Sequence, residues 1–308
     1  MLLHNMNASE IKQIFTRYSN DIAFLIGNGI NLYYRNDNLS WKDLLLYLWG
    51  KYSSDKQTII PDGISFTEFY DALEIQNAEK ANFSSTLQKE VKNKMINWHP
   101  NCSQNLILNR IKEMNAPILT TNFDDLIPKS LDLDFKKMDG TRFTDYYPWS
   151  CYYSDRELNY PTEGFGVWYP NGMLKYHRSI KLGLSQYMGN VERARKLIYK
   201  KPESIRFEGK SRNYWDGYKT WLHIVFNKSI FIFGLSLDET EIFIRWLLIE
   251  RAKNFRNFPD RKKHIGWFLA NKDIDPPTFE GKKFFLKSVG FDVIEVNDYK
   301  TIYEEIWK

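Results

Sequence analysis

Five short apolar runs recur along the chain: Ile22 to Ile26, Pro117 to Thr120, Ile230 to Phe233, Ile265 to Ala270 and Asp292 to Val296. They barely alternate between apolar and polar positions. A strand with one wet face alternates, whereas a parallel strand covered by helices on both faces does not. The third run leads into the clearest helical pattern. There Asp238 is placed to cap, Glu239 and Glu241 put acid in the first turn, and Arg251 and Lys253 put base in the last. Ile242, Trp246 and Ile249 supply an apolar stripe at helical spacing. A closing helix is expected from Tyr299 to Trp307. Strand and helix alternating in this way predict an α/β fold, a Rossmann-like doubly wound parallel sheet.

Two stretches interrupt the alternation. Residues 36–110 read as mostly helical, over Trp41 to Trp49, Phe66 to Ala78, Thr86 to Trp98 and Ser103 to Lys112. Residues 136–228 are aromatic and turn-rich, then helical around Asn190 to Lys200 and Tyr214 to Phe226. Both are assigned to a smaller, mostly helical lid domain. The sheet domain is assembled from residues 1–35, 111–135 and 229–308.

Three of the predicted strands end in small-residue turns: Gly27-Asn28-Gly29-Ile30-Asn31, Thr120-Thr121-Asn122-Phe123-Asp124, and Gly234-Leu235-Ser236. In an open parallel sheet, ligands bind beyond the carboxyl ends of the strands. Glycines there let backbone N–H groups approach phosphate. One such turn is a weak signal, and Gly27-Asn28-Gly29 fails the G-x-G-x-x-G fingerprint because position 32 is Leu. Three together argue for a site the size of a dinucleotide. Asn28 and Asn31 add amide donors and acceptors. Asp124 and Asp125 form a carboxylate pair at a buried strand end, costly unless used, and one of them is expected to cap the following helix. Asn122 has no such structural reason, and a neutral amide there can hold a ribose hydroxyl or a water in line.

Composition narrows the classes. A chain of 308 residues with 19 Tyr, 21 Phe and 10 Trp can build a sizeable core. The net charge of +5 is spread along it. The densest basic run, Arg261-Lys262-Lys263-His264, reads as a solvated turn, so no direct nucleic-acid binding is expected. No window approaches the roughly 18 apolar residues of a membrane span. The N-terminus lacks a signal-peptide pattern, so a cytoplasmic protein is expected. Cys102 and Cys151 form no Cys-x-x-Cys pair, which excludes a four-cysteine zinc site; both are expected to be small buried side chains. The five histidines show no metal-ligand spacing, so no metal is expected.

The order Gly-Asn-Gly-Ile-Asn, Thr-Thr-Asn-Phe-Asp-Asp, Ser179-Ile180-Lys181-Leu182-Gly183 and Gly-Leu-Ser-Leu-Asp-Glu resembles the sirtuin superfamily. Specifically, it is similar to the sirtuin-like NAD-hydrolysing proteins of bacterial antiphage defence. The resemblance implies NAD as substrate, no metal, and cleavage of NAD to nicotinamide and ADP-ribose. By position it puts Gly27, Asn28, Gly29 and Asn31 on the pyrophosphate and ribose loop. Asn122 and Asp124 fall beside the nicotinamide ribose, and Thr121 is counted with the NAD-binding residues. Gly234 and Ser236 fall on the adenosine ribose, and Asn297 on the adenine side. The resemblance further implies silence until triggered, through a homo-oligomer or a partner such as a ring-forming ATPase of the HerA type. The absent zinc ribbon favours hydrolysis over deacylation.

The chain departs from the family at the catalytic histidine. The expected His-Gly pair reads Asn171-Gly172, and the nearest histidine is His177. Three readings stay open: His177 serves after a register shift, Asn171 is a natural loss, or Asn171 is a substitution that traps substrate. An Asn keeps hydrogen bonding but accepts no proton, which lowers turnover by about 10²–10⁴-fold. A catalytically silent NAD or ADP-ribose sensor is the alternative function.

Overall fold

The computed structural model describes residues 4–34, 39–199, 215–259, 263–272 and 276–308. Arg261 and Lys262 of the basic run, Asn36, Lys200 and Tyr214 lie outside the described residues. The strands, in chain order, are β1 (His4–Asn5), β2 (Ile22–Ile26), β3 (Ile118–Thr120), β4 (Asp134–Lys137), β5 (Cys151–Ser154), β6 (Val167–Trp168), β7 (Ser229–Phe233), β8 (Gly266–Asn271) and β9 (Phe291–Val296). They form one sheet in the order β1-β9-β8-β7-β2-β3-β6-β5-β4. Every pairing from β1 to β6 is parallel, and β5 and β4 add an antiparallel edge. Renumbered by appearance, the six central strands run 3-2-1-4-5-6, the doubly wound order with its switch between β2 and β7. The five expected strands are present, and the fold is Rossmann-like α/β.

The missing alternation has its structural reason in the two faces. Ala23 and Leu25 of β2 point into one apolar cluster with Ile230, Ile232 and Phe268. Ile22, Phe24 and Ile26 point into another with Phe231, Phe233, Trp267 and Ile294. Helices α8 (Leu184–Tyr199), α9 (Leu222–Asn227), α10 (Ile242–Asn257) and α11 (Pro276–Ser288) cover the first face. The second is covered by α1 (Ala8–Arg17), α2 (Gly29–Tyr33), α6 (Asn105–Glu113), α7 (Leu126–Ser130) and α12 (Tyr299–Tyr303).

A third cluster belongs to the lid. Helices α3 (Trp41–Tyr52), α4 (Phe66–Gln76) and α5 (Phe83–Met95) enclose Leu48, Trp49, Phe69 and Leu87, joined by Phe123, Leu174, Ile180 and Leu182 from the sheet loops. Ser40 and Ser65 start α3 and α4 through reciprocal capping boxes with Asp43 and Glu68.

Several expectations are corrected. Residues 136–228 are not wholly lid, because β5 and β6 lie there and join the main sheet. At two residues, β6 is too short to carry a period. Helix α6 packs on the sheet, so the first lid segment ends before it. Asp238 does not cap α10, which begins at Ile242 after Glu241. The core side of α10 is Phe243, Ile244, Leu247 and Leu248, while Ile242, Trp246 and Ile249 are half-buried. Arg251 lies mid-helix and is buried. Cys151 is buried as expected, but Cys102 is exposed; both are free thiols.

Candidate functional site

Ile26 pairs with Thr120 on one side and Phe233 on the other, so Gly27, Thr121 and Gly234 leave the sheet side by side. The Gly27 N–H donates to Phe233 O (3.2 Å), Gly29 N–H to Gly234 O (2.8 Å) and Thr121 N–H to Ile26 O (3.1 Å). A Cβ on Gly27 would stand 2.7 Å from Leu235 Cα and closer still to the Gly234 carbonyl oxygen. The glycines thus allow two backbones to touch at the switch point. Their amides tie strand ends together rather than pointing outward.

Between this edge and the lid lies a cavity of about 530 Å³. Asn28, Gly29, Thr121, Asn122, Asp124, Asn171, Gly234 and Ser236 line it from the strand ends. Trp41, Phe66, Thr67 and Trp98 line it from the lid, and Asp238, Glu241, Asn271, Lys282 and Tyr299 from the β7–β8 side.

Four residues expected at the site do not line this cavity. Gly27 lies beneath it. Asn31 is buried behind it, donating from Nδ2 to Asp124 Oδ2 (3.1 Å) and to Asn28 Oδ1 (3.0 Å). Asn297 accepts from Lys272 Nζ at 3.0 Å. His177 sits in the 3-10 turn His177–Ser179 beside α5, its pKa lowered by burial and by Lys92, Lys89 and Arg178.

Asn171 does face the cavity. It is 2% exposed, and its Oδ1 has no hydrogen-bond partner. Its carbonyl accepts the Lys181 N–H at 2.9 Å. Gly172 follows at φ 106°, where a Cβ would lie 2.6 Å from Ile180 N. That returning segment is gripped by the lid, since Gln88 Nε2 donates to Ile180 O (2.8 Å) and Arg178 O (3.2 Å). Of the two positions considered for the missing histidine, 171 is the one at the cavity.

The acidic groups divide between the two sides of the switch point. Asp124 is 4% exposed. Burial, aided by the neighbouring Asp125 charge, pushes its pKa up to about 6, against hydrogen bonds from Leu126 N–H (3.1 Å) and Asn31. It thereby satisfies the first N–H of α7, while Asp125 pairs with Lys129 at 2.9 Å. Asn122 is buried, with its Nδ2 at 3.5 Å from Gly27 O. Across the switch point, Asp238 pairs with Lys282 (2.8 Å), and burial followed by the Asp238 charge raises Glu241 to about 7. Leu237 holds a left-handed φ of 51° in this loop, with its carbonyl accepting from Arg245 Nη1 at 3.1 Å.

Lys282, Tyr187, Trp98 and Glu241 escaped the sequence reading. The first three reach the cavity from elements remote in sequence, and Glu241 reads locally as a helix-start acid. Among the described residues, no group of three or more His, Cys, Asp or Glu side chains could hold a metal ion, and no helix is long and apolar enough to cross a membrane. No protein-family model matches the chain, and no curated protein matches it. The resemblance to sirtuin-like proteins therefore rests on the motifs themselves.

Proposed function

We propose that this chain binds NAD and cleaves its nicotinamide–ribose bond with water. The observation carrying this reading is the convergence of Asn122, Asp124 and the unpartnered Asn171 Oδ1 on one cavity at the switch point of a doubly wound sheet. Its volume is within the 300–1,000 Å³ range of small-molecule sites. Trp41 and Trp98 at the lid and Tyr299 at the opposite side offer aromatic surfaces for two bases. The transition state of such a cleavage is oxocarbenium-like, stabilised by negative charge beside the sugar and a positioned water. Asn122 holds the water or a ribose hydroxyl, Asp124 supplies the charge, and Asn171 Oδ1 accepts a hydrogen bond from the ligand.

Incubation with NAD and quantification of nicotinamide tests this. Asn122→Ala is expected to lose at least about 100-fold in turnover with little loss of stability, because its side chain makes only a long bond to Gly27 O. Full activity in Asn122→Ala would overturn the reading. His177→Ala is expected to leave turnover unchanged. The silent-sensor reading is favoured by one observation, the Asn at position 171, and predicts NAD binding without nicotinamide release.

A further inference from the structure

Among the described residues, no histidine and no cysteine lines the cavity, so the proton released by an attacking water needs another acceptor. Asp238 is engaged by Lys282, and it and Glu241 approach from the β7 side of the switch point. Asp124 alone among the lining carboxylates follows β3, the strand that also delivers Asn122, and adjoins the β6 end that delivers Asn171.

Its carboxylate is held at the end of a buried chain of neutral amides. Gln104 Nε2 donates to Asn31 Oδ1 (3.0 Å), and Asn31 Nδ2 donates to Asp124 Oδ2 (3.1 Å). The Leu126 N–H fixes the other oxygen at 3.1 Å. Gln104 and Asn31 are each 1% exposed. Such a chain orients the carboxylate without neutralising it, and each oxygen keeps a lone pair. A base aimed by a second group, itself held by a third, is the arrangement that activates a nucleophile. The other groups facing Asp124 are Asp125 on its own loop and the buried Tyr169 hydroxyl beyond β6, which has no hydrogen-bond partner.

We infer that Asp124 is the general base of the cleavage, in place of a histidine. The inference rests on the NAD-hydrolysis reading. The water oxygen bonds to C1′ of the nicotinamide ribose as the C1′–N bond breaks. That bond's electron pair passes to the ring nitrogen and cancels its positive charge, so nicotinamide leaves neutral. The water proton passes to an Asp124 oxygen and then to solvent. A carboxyl titrating near 6 is mostly ionised at neutral pH and still basic enough to take that proton.

The test is kcat/KM for NAD cleavage against pH, from about 4.5 to 8.5, with NAD affinity measured in parallel. Wild type is expected to lose activity as pH falls through about 6. Asp124→Asn is expected to lose about 10²–10⁴-fold while binding NAD within a few-fold of wild type. Asp124→Glu, which keeps the carboxyl, is expected to recover part of the rate with a displaced acid limb. A wild-type profile flat between pH 5 and 7.5 overturns the assignment whatever the variants do. So does an Asp124→Asn protein with the wild-type rate, and hydrolysis itself then stands. A wild type that binds NAD and never cleaves it overturns the hydrolysis reading and this role together.

Discussion

Gly27 and Gly29 show what a single missing methyl group does. A Cβ on Gly27 would meet only backbone atoms of Gly234 and Leu235, which cannot swing away. A Cβ on Gly29 would meet the hydroxyl of the buried Tyr303 but also Gly234 Cα at 2.7 Å. Gly27→Ala is therefore expected to cost at least about 1–3 kcal/mol as the β2 and β7 ends separate. Gly29→Ala should be similarly costly, and adding Tyr303→Phe should not restore stability, because Gly234 Cα remains. Denaturant midpoints of the two singles and the double decide this; full recovery in the double would show that the tyrosine alone set the limit. The sequence placed these glycines at the site for a different reason, as phosphate-facing donors, whereas their amides bond the neighbouring strand end. Asn122 and Asp124 were legible as cavity residues because each sits within a few residues of a predicted strand end, whereas Asn171, beyond the unread β6, was singled out only through the family resemblance. Lys282 and Tyr187 were not, since their closeness to the cavity depends on how α8 and α11 pack.

At the scale of elements, α10 separates local pattern from tertiary context. Asp238-Glu239-Thr240-Glu241 reads as a helix start, yet Lys282 draws Asp238 away and Arg245 holds the Leu237 carbonyl. Arg251 reads as a cation near a helix end, but α10 runs on to Asn257 and turns Arg251 inward at 1% exposure. There it donates to the carbonyls of Val225 (3.0 Å), His264 (2.7 Å) and Ile265 (3.2 Å), and more weakly to Lys228 (3.4 Å). One side chain thus ties the last turn of α9 to the starts of β7 and β8. Burial lowers its pKa to about 9. Arg251→Leu leaves the buried Val225 and His264 carbonyls without this donor, at about 1–3 kcal/mol each before relaxation, while Ile265 O keeps the Ile230 N–H at 2.9 Å, and a total loss of about 3 kcal/mol is expected. Arg251→Lys should recover little, since an ammonium cannot match the planar fork. Urea unfolding measures both; a loss below about 1 kcal/mol in Arg251→Leu would mean that water takes over the carbonyls.

For the whole molecule, five of the six strands of the doubly wound core were readable because each of those five is apolar on both faces. Strands β4 to β6 were hidden in an aromatic, turn-rich stretch, and only the finished sheet reveals that its third parallel strand is two residues long. The same burial that completes the cavity sets the molecule's response to pH. Asp124 and Glu241 have folded pKa values of about 6 and about 7, above their unfolded values of 3.8 and 4.5. Between those limits the folded chain holds more protons than the unfolded one, so their contribution is fully present below about pH 4 and is lost as pH rises towards 7. His223 acts in the opposite direction, because burial lowers it from 6.5 to about 4 and its contribution is lost as pH falls through that window. The wild-type melting curve mixes the two. Glu241→Gln separates them, since a neutral amide mimics the protonated acid at every pH. The variant should match wild type at pH 4 and exceed it at pH 8 by about 1–2 kcal/mol, allowing for partial solvent contact at the cavity wall. Thermal melts of both proteins at pH 4, 6 and 8 give the comparison. A stability difference that does not grow with pH would mean that Glu241 stays ionised throughout, with water reaching it across the cavity.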